Sequence, residues 1–377
     1  MNVALLGFGV VGRGVYDLTL DRSDITVKYV VCLEDVEIPG VIVTRDYQQI
    51  LNDESVDTVV EAMGGLHPAW DFVKAAIEHG KNVVTSNKAM AATFYDELLP
   101  LVQEKGVLFR CTAAVGGGIG WLSELGRVRR CETINAVGGI MNGTCNYILD
   151  NMTRLGLDYD VALKQAQELS YAEADPSTDV DGIDTWHKII LSSNIAFGVS
   201  LDKSTVPVTG IRNIKACDVA AFTERGYTCK LLSCGKRSGD HLQVHVQPTL
   251  CPDSDLESHV PMNFNLITFE GAAAGRQSLY GQGAGRYPTA YNVVQDLMDL
   301  CRGNGFYAPC DGQMPVINDA CMRFYVRGEG DAWLDAHTAE HWGEGVVTDP
   351  VCVSEIHAWC KLHPNAFMAA IRERKES

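Results

Sequence analysis

Basic charge, long apolar runs and clustered cysteine are all scarce in this chain of 377 residues. Against 48 Asp and Glu there are only 31 Lys and Arg, a formal net charge of −17, and no block is rich in Lys and Arg. Binding a phosphate backbone or an anionic membrane face asks for the opposite balance, so the expectation is no nucleic acid and no membrane partner. No apolar run approaches the ~18 residues that a membrane span requires. The start, Met1-Asn2-Val3-Ala4-Leu5-Leu6-Gly7, lacks the basic segment and small-residue cleavage site of a secretory leader. It reads as a first strand, and a cytoplasmic protein is expected.

The 13 cysteines run from Cys32 to Cys360 without a C-x-x-C pair. Zinc sites want clustered thiolates and secreted disulfide scaffolds are short and cysteine-dense, so reduced, mostly buried thiols are expected. With 46% hydrophobic and 21% charged residues the composition is globular, and the length suits two or three domains.

What is present begins with alternation. Asn2 to Leu6, Thr26 to Cys32, Asp57 to Glu61, Asn82 to Thr85 and Val107 to Arg110 read as strands, with helices at Pro68 to His79 and Phe94 to Lys105. Five strands with crossovers predict a doubly wound parallel α/β sheet of the Rossmann type. The rhythm changes after Gly116-Gly117-Gly118: Thr133 to Met141 is strand-like, while Asn146 to Arg154, Tyr159 to Tyr171 and Ile183 to Phe197 are helical. Thr205 to about Tyr280 suggests antiparallel strands, and Tyr287 to Arg302 a helix. The tail reads as strand, helix, two short strands and a final helix through Arg374.

Gly7, Phe8, Gly9, Val10, Val11 and Gly12 stand between the first strand and a helix, the context in which G-x-G-x-x-G signals dinucleotide binding. Gly7 permits the turn, Gly9 lets backbone approach a pyrophosphate and Gly12 allows helix to pack on strand. About 20 residues beyond the last glycine, Glu34 can take a ribose 2′-hydroxyl. With Asp35 it repels a 2′-phosphate, and no Arg lies between Cys32 and Thr44, which predicts NAD over NADP.

The segment from Tyr171 to Lys188 gathers Glu173, Asp175, Asp179, Asp181 and Asp184. Its spacing half fits a calcium loop that starts at Ser177, but the twelfth position, where a bidentate Glu belongs, is Lys188. Asp184 and Lys188 instead share a helix face, and the apolar Ile189-Ile190-Leu191 after them predicts burial. A buried lysine beside a carboxylate, behind a dinucleotide domain, is a candidate proton-transfer group. Lys88, in Thr85-Ser86-Asn87-Lys88-Ala89, falls just past the carboxyl end of a strand, where such sheets hold ligands.

These segments together resemble homoserine dehydrogenases from Met1 to about Ala320. The marks are Gly7 to Gly12, Glu61-Ala-Met-Gly64-Gly65 with Pro68, Ser86-Asn87-Lys88-Ala89 and Ala114-Val115-Gly116-Gly117-Gly118-Ile119. They continue with Gly139 to Leu149, the Tyr171 to Lys188 segment, Lys230-Leu231-Leu232, and Gly281-Gln-Gly283-Ala-Gly285 before Pro288-Thr289-Ala290. The resemblance implies oxidation of L-homoserine or reduction of L-aspartate 4-semialdehyde. Lys88 and Lys188 would be the catalytic pair, with Asp184 orienting Lys188. Thr144, Tyr171, Glu173 and Asp179 would surround the amino acid substrate, and Gly64, Gly65, Ser86, Lys88 and Gly285 would join the glycine loop around NAD or NADP. The nearest alternatives are a related dehydrogenase for another small amino-alcohol or amino acid, and a catalytically silent NAD-binding sensor.

The organisation implied is a cofactor domain over 1–130, rejoined by 285–318, an inserted substrate and dimerisation domain over 131–284, and a short tail over 319–377. A homodimer follows from the same resemblance. The tail resembles a ligand-sensing ACT domain of β-α-β-β-α-β order without its last strand, which brings threonine into view as an effector. Relatives hold a monovalent cation at the glycine turn through a Glu and backbone carbonyls matching Val115, Gly117 and Ile119. Here Thr112 stands where that Glu belongs and Gly120 where a Pro is usual, so no metal site is expected. Leu33 replaces a phosphate-pairing Arg of many relatives, which agrees with NAD. Trp186-His187 replaces small residues, and His187 points about 100° away from Lys188 on a helix and is read as structural.

Overall fold

The computed structural model of the chain describes residues 1–305 and 312–374. The chain forms two compact units, one of Met1–Thr133, Asn194–Ser200 and Gly281–Gly312, the other of Ile134–Ser193, Leu201–Tyr280 and Gln313–Ser377. Where the expected spans 285–318 and 319–377 fall on 306–311 and 375–377, they lie outside the described residues.

The first unit holds strands β1 (Asn2–Leu6), β2 (Thr26–Val31), β3 (Ile42–Thr44), β4 (Thr58–Glu61), β5 (Asn82–Thr85) and β6 (Phe109–Arg110). They pair in parallel in the order β3-β2-β1-β4-β5-β6. Covered on both faces, the central strands are nearly continuous apolar runs, such as Val3-Ala4-Leu5-Leu6. The sheet has six strands where five were expected. The added β3 is three residues long, lies at the edge and exposes Ile42, so it carries too little pattern to be read.

Chain direction across the sheet reverses at β1, which has β2 on one side and β4 on the other. Ligands bind such sheets outside the carboxyl ends at that reversal. The helix Arg286–Cys301 closes the core, setting Ala290, Val293, Leu297 and Leu300 in one cluster with Val3, Leu5 and Val15.

The second unit holds β7 (Ile134–Ile140), β8 (Tyr227–Ser238), β9 (His241–Pro252), β10 (Phe264–Gly271), β11 (Gly275–Gln282), β12 (Cys321–Met322), β13 (Phe324–Arg327), β14 (Thr338–Trp342), β15 (Gly345–Thr348), β16 (Val351–Cys352) and β17 (Phe367–Ile371). Nine form one sheet, β11-β10-β7-β8-β9-β17-β13-β15-β14, and β12 pairs with β16. The span from Thr205 to about Tyr280, whose alternating stretches suggest antiparallel strands, also contains the helix Ala216–Thr223.

The tail corrects the sequence reading twice. Its final segment is a strand, because the helix Val353–Leu362 stops ahead of Pro364, which disfavours helical backbone in the residue before it. Phe367-Met-Ala-Ala-Ile371 then inserts antiparallel to β13 and parallel to β9, with all five residues buried, and this pairing overrides the helical propensity of Met and Ala. Apart from the short β12–β16 pair, the tail strands that join the large sheet therefore follow the order β-α-β-β-α-β, in the spatial order last, first, third, second, and the last strand is present. It also continues the large sheet and does not stand as a third compact unit.

The thiols are less hidden than expected. Only Cys111, Cys145, Cys229 and Cys251 are buried, whereas Cys131, Cys301 and Cys321 are exposed, and Cys310 lies outside the described residues. Composition sets a cysteine's average burial, and the sheet edge or helix face it falls on sets the particular one.

Two buried histidines link β9 to the tail. The hydroxyl of Thr209 lies 2.9 Å from Nδ1 of His357, whose Nε2 lies 3.0 Å from Oε1 of Gln247; Nδ1 of His245 lies 3.2 Å from Oδ1 of Asn318. Burial pushes His245 down to about 4. Burial, with His245 and Lys361 nearby, pushes His357 down to about 3. An unfolded histidine takes its proton near ~6.5, so between that value and the folded ones the unfolded chain binds more protons. Stability held above that range is lost as pH falls, by about 2 kcal/mol per histidine at about pH 5. Urea unfolding at neutral and at mildly acid pH should show the loss, and His357→Gln should flatten it.

Candidate active site

At the carboxyl end of β1 the chain turns sharply. Gly7 has φ +95°, and a Cβ there would lie 2.8 Å from the Ala62 carbonyl oxygen. A Cβ on Gly12 would lie 2.2 Å from the Gly7 carbonyl oxygen, so helix Val10–Thr19 starts directly against the turn only because both are glycine. Gly9, the N-cap of that helix, faces open space with no atom within 4 Å of a Cβ position. A pyrophosphate fits such a cradle, with helix N–H groups toward it. Phe8 turns inward, under Arg13 at 4.7 Å and edge-on to Tyr16, so its side chain is core and its backbone belongs to the loop. Val10 is exposed and Val11 partly buried.

Glu34 is mostly exposed and pairs with Arg13 at 3.1 Å. Asp35 pairs with Arg45 at 2.9 Å, and Arg45 also donates to the Leu33 carbonyl. Two arginines thus reach the β2 loop from outside the Cys32 to Thr44 window. Arg13 comes from the glycine-loop helix and Arg45 from the end of β3, the strand that sequence did not reveal.

Around β4 and β5 a buried carboxylate organises the ligand side. Glu61 accepts from Met63 N–H at 2.8 Å and Gly64 N–H at 3.2 Å through Oε1, and from the Thr85 hydroxyl through Oε2 at 2.5 Å. Asn87 caps the helix Lys88–Thr93 and donates to the Gly65 carbonyl at 2.7 Å. Gly64, Gly65, Ser86 and the half-buried Lys88 are thereby fixed along one rim. Gly285 is the N-cap of helix Arg286–Cys301, with φ +121°.

In the second unit the acidic segment separates by partner. Asp175 takes Ser177, and Asp181 takes Arg212 at 2.7 Å, so neither is left for a calcium loop. Asp184 and Lys188 lie one turn apart on helix Ile183–Phe197, with Nζ to Oδ2 at 2.7 Å. At 8% and 5% exposed, Lys188 and Asp184 are a buried pair, a different object from a solvated ion pair of a few tenths of a kcal/mol. Lys188 also donates to the Met141 carbonyl at 2.7 Å, so two of its three donors hold Nζ in place.

Asn142 joins the carboxylates. Its Nδ2 donates to Asp179 at 2.7 Å and to Asp184 at 2.8 Å, while its Oδ1 caps helix Gly143–Leu155 by accepting from Cys145 N–H. Burial, then the charge of Asp184, raises Asp179 above the usual carboxylate range, opposed by Asn142, Lys188 and Thr144. The Thr144 hydroxyl donates to the Tyr171 carbonyl at 2.6 Å, and Tyr147 packs edge-on to Tyr171. Lys188, Asp184, Asp179, Thr144 and Tyr171 are therefore one linked group. Glu173 stands apart, exposed, with its carbonyl accepting from Gln167. The sequence reading missed Asn142; an Asn directly ahead of a helix start was the available signal. Lys230 is fully buried, but it holds Asn146 and the Val260 carbonyl, a structural duty.

A dinucleotide cradle on one unit and a buried lysine–carboxylate group on the other define an NAD(P)-dependent α/β oxidoreductase. The chain belongs to the homoserine dehydrogenase family. The family model for homoserine dehydrogenase matches residues 121–298, and that for the homoserine dehydrogenase NAD binding domain matches residues 7–111. Homoserine dehydrogenase of Synechocystis is 37% identical over 359 residues, covering 87% of this chain and 82% of that protein. That of Bacillus subtilis is 35% identical over 330 residues, covering 82% and 76%. Among solved structures, a homoserine dehydrogenase from Thiobacillus denitrificans superposes with TM-score 0.87 at 29% identity, over 99% of this chain and 98% of that one. A hyperthermophilic archaeal homoserine dehydrogenase solved with NADPH shares the fold, with TM-score 0.68 at 22% identity over 81% of this chain and 99% of that one. Among the described residues, no helix is long and apolar enough to cross a membrane.

Proposed function

We propose that the chain interconverts L-homoserine and L-aspartate 4-semialdehyde, with Lys88 and Lys188 as the catalytic pair. The observation that carries this reading is the buried Lys188–Asp184 pair tied through Asn142 to Asp179. When bound, the nicotinamide accepts or returns the hydride. The chain's own part is to hold the amino acid and manage the hydroxyl proton. Asp179, with Thr144 and Tyr171 beside it, receives the ammonium end, and the role of the two lysines is to supply the positive charge that stabilises the developing alkoxide. Following reduced-cofactor absorbance with homoserine, then with related amino-alcohols and amino acids, tests the reading. Turnover with another compound but not homoserine would replace the substrate, and no turnover at all would favour a silent sensor.

We also propose NAD as the preferred cofactor. Glu34 and Asp35 are charge-matched by Arg13 and Arg45, so the loop offers carboxylates to a ribose hydroxyl and no uncommitted guanidinium to a 2′-phosphate. Glu34→Ala releases Arg13 and should raise kcat/KM with NADP relative to NAD by about tenfold, ~1.4 kcal/mol. A parent enzyme that already favours NADP by that factor contradicts the preference.

Association as a homodimer belongs to the same proposal. A concavity of about 1600 Å³ on the second unit is lined by Val137, Leu232, Gln247, Thr268 and Trp342, larger than the ~300–1,000 Å³ of small-ligand pockets, and it suits a second copy. The β-α-β-β-α-β tail supports reading it as an ACT-like sensor, with threonine as the candidate effector.

A further inference from the structure

The glycine turn at 115–119 points two buried carbonyls at one position. Nδ2 of Asn292, from helix Arg286–Cys301, lies 2.5 Å from the Gly117 oxygen and 3.1 Å from the Ile119 oxygen. Asn292 is 3% exposed, so the contact lies in the interior. Two carbonyl oxygens converging on a buried point repel each other unless something positive sits between them, either a cation or an N–H donor. The carboxamide NH2 has two donors, one for each oxygen, whereas its own oxygen in that place would add a third negative dipole.

With Asn292 filling the point of convergence, the shell around it does not fit a monovalent cation. Thr112 gives its N–H to Asp296 Oδ2 at 2.8 Å and its hydroxyl to Asp296 Oδ1 at 2.6 Å, with Ser123 Oγ 2.7 Å away. Asp296 is fully buried and its charge is matched by Arg110 at 2.8 Å. The nearby carboxylate is therefore committed to an arginine and the hydroxyl to that carboxylate. Hard cations want several oxygen ligands, and here an amide N–H pair stands at the point of convergence.

We infer that Asn292 does the work of a monovalent cation at this turn, so that the chain folds and turns over without sodium or potassium. Asn292 is then a positioning residue. It ties the glycine turn to the helix whose N-cap is Gly285, and Gly118 N–H to the Gln282 carbonyl at 3.1 Å makes a second tie. The inference uses the proposed dehydrogenase turnover as one readout, and melting temperature as a readout independent of it.

The test uses the full chain exchanged into tetramethylammonium chloride, a cation too large for the turn. The parent should show the same kcat and melting temperature after replacement by sodium or potassium chloride at equal ionic strength. Asn292→Ala takes away the donor of the Gly117 oxygen and leaves the Ile119 oxygen with the Trp121 N–H at 2.7 Å, and should lose about tenfold in kcat in tetramethylammonium. Sodium or potassium should restore that variant and raise its melting temperature. The double variant Thr112→Glu with Asn292→Ala supplies a carboxylate as well and should gain still more thermal stability from either ion. A parent that needs sodium or potassium overturns the inference, and so does an Asn292→Ala enzyme that neither ion rescues. If Asn292→Ala does not fold, an unchanged melting temperature for the double variant in all three salts overturns it too. A parent without dehydrogenase turnover counts against the proposed reaction, and the melting comparison still decides the role of Asn292.

Discussion

Lys188→Ala is expected to lower kcat at least ~100-fold while NAD still binds, the lower end of what a lost acid–base group costs. The side chain is fixed at two points, Asp184 Oδ2 and the Met141 carbonyl, each at 2.7 Å, so its ammonium is held ready and does not have to be gathered from solvent. Its removal deletes the positive charge that an alkoxide needs and strands Asp184 in the interior. Breaking a buried pair on one side costs about 3–5 kcal/mol of stability, so the single variant has to be read beside Lys188→Met with Asp184→Asn, which leaves no unpaired charge. Both should retain cofactor binding in a fluorescence titration, because the glycine cradle lies wholly within the first unit. A double variant that folds, binds NAD and keeps more than about a tenth of parental kcat would remove Lys188 from the chemistry.

Lys88→Ala should cost kcat a similar ~100-fold, for a different structural reason and with little loss of stability. Lys88 is half-buried at the first position of helix Lys88–Thr93, and the cap that starts the helix is the Asn87 side chain accepting from Met90 N–H. Alanine leaves that cap and the Glu61 scaffold beneath it intact, so melting should barely move. Lys88→Arg should restore little, since a planar fork does not place charge where a compact ammonium does. Steady-state kinetics with both substrates varied decides it. A variant whose KM rises while kcat stays near parental would make Lys88 a binding residue only.

The parts of the molecule legible in sequence are those written in neighbouring residues. Gly7 to Gly12 announced its turn because the glycines answer contacts a few residues away, such as Gly12 against the Gly7 carbonyl. Asp184 and Lys188 were legible as a pair because four residues on a helix return to one face, and their burial followed from the apolar run after them. What escaped depends on distant partners. β17 looks helical by itself and becomes a strand because β9 and β13 offer it two ladders. Arg13 and Arg45 enter the cofactor loop from outside its own segment, and so adjust the charge argument for NAD without removing it.

By itself, then, the sequence determined the parallel cofactor sheet, the two lysines proposed for the chemistry and the mismatch at Thr112, since each rests on residue type, period or local spacing. Tertiary structure alone decided what Thr112 does, that Asn142 bridges Asp179 and Asp184, and that Asn292 meets the carbonyls of Gly117 and Ile119. An amide side chain shows no preference in sequence for one carbonyl over another. Only when helix Arg286–Cys301 docks in the first unit does Asn292 come within hydrogen-bonding distance of carbonyls 175 and 173 positions earlier in the chain.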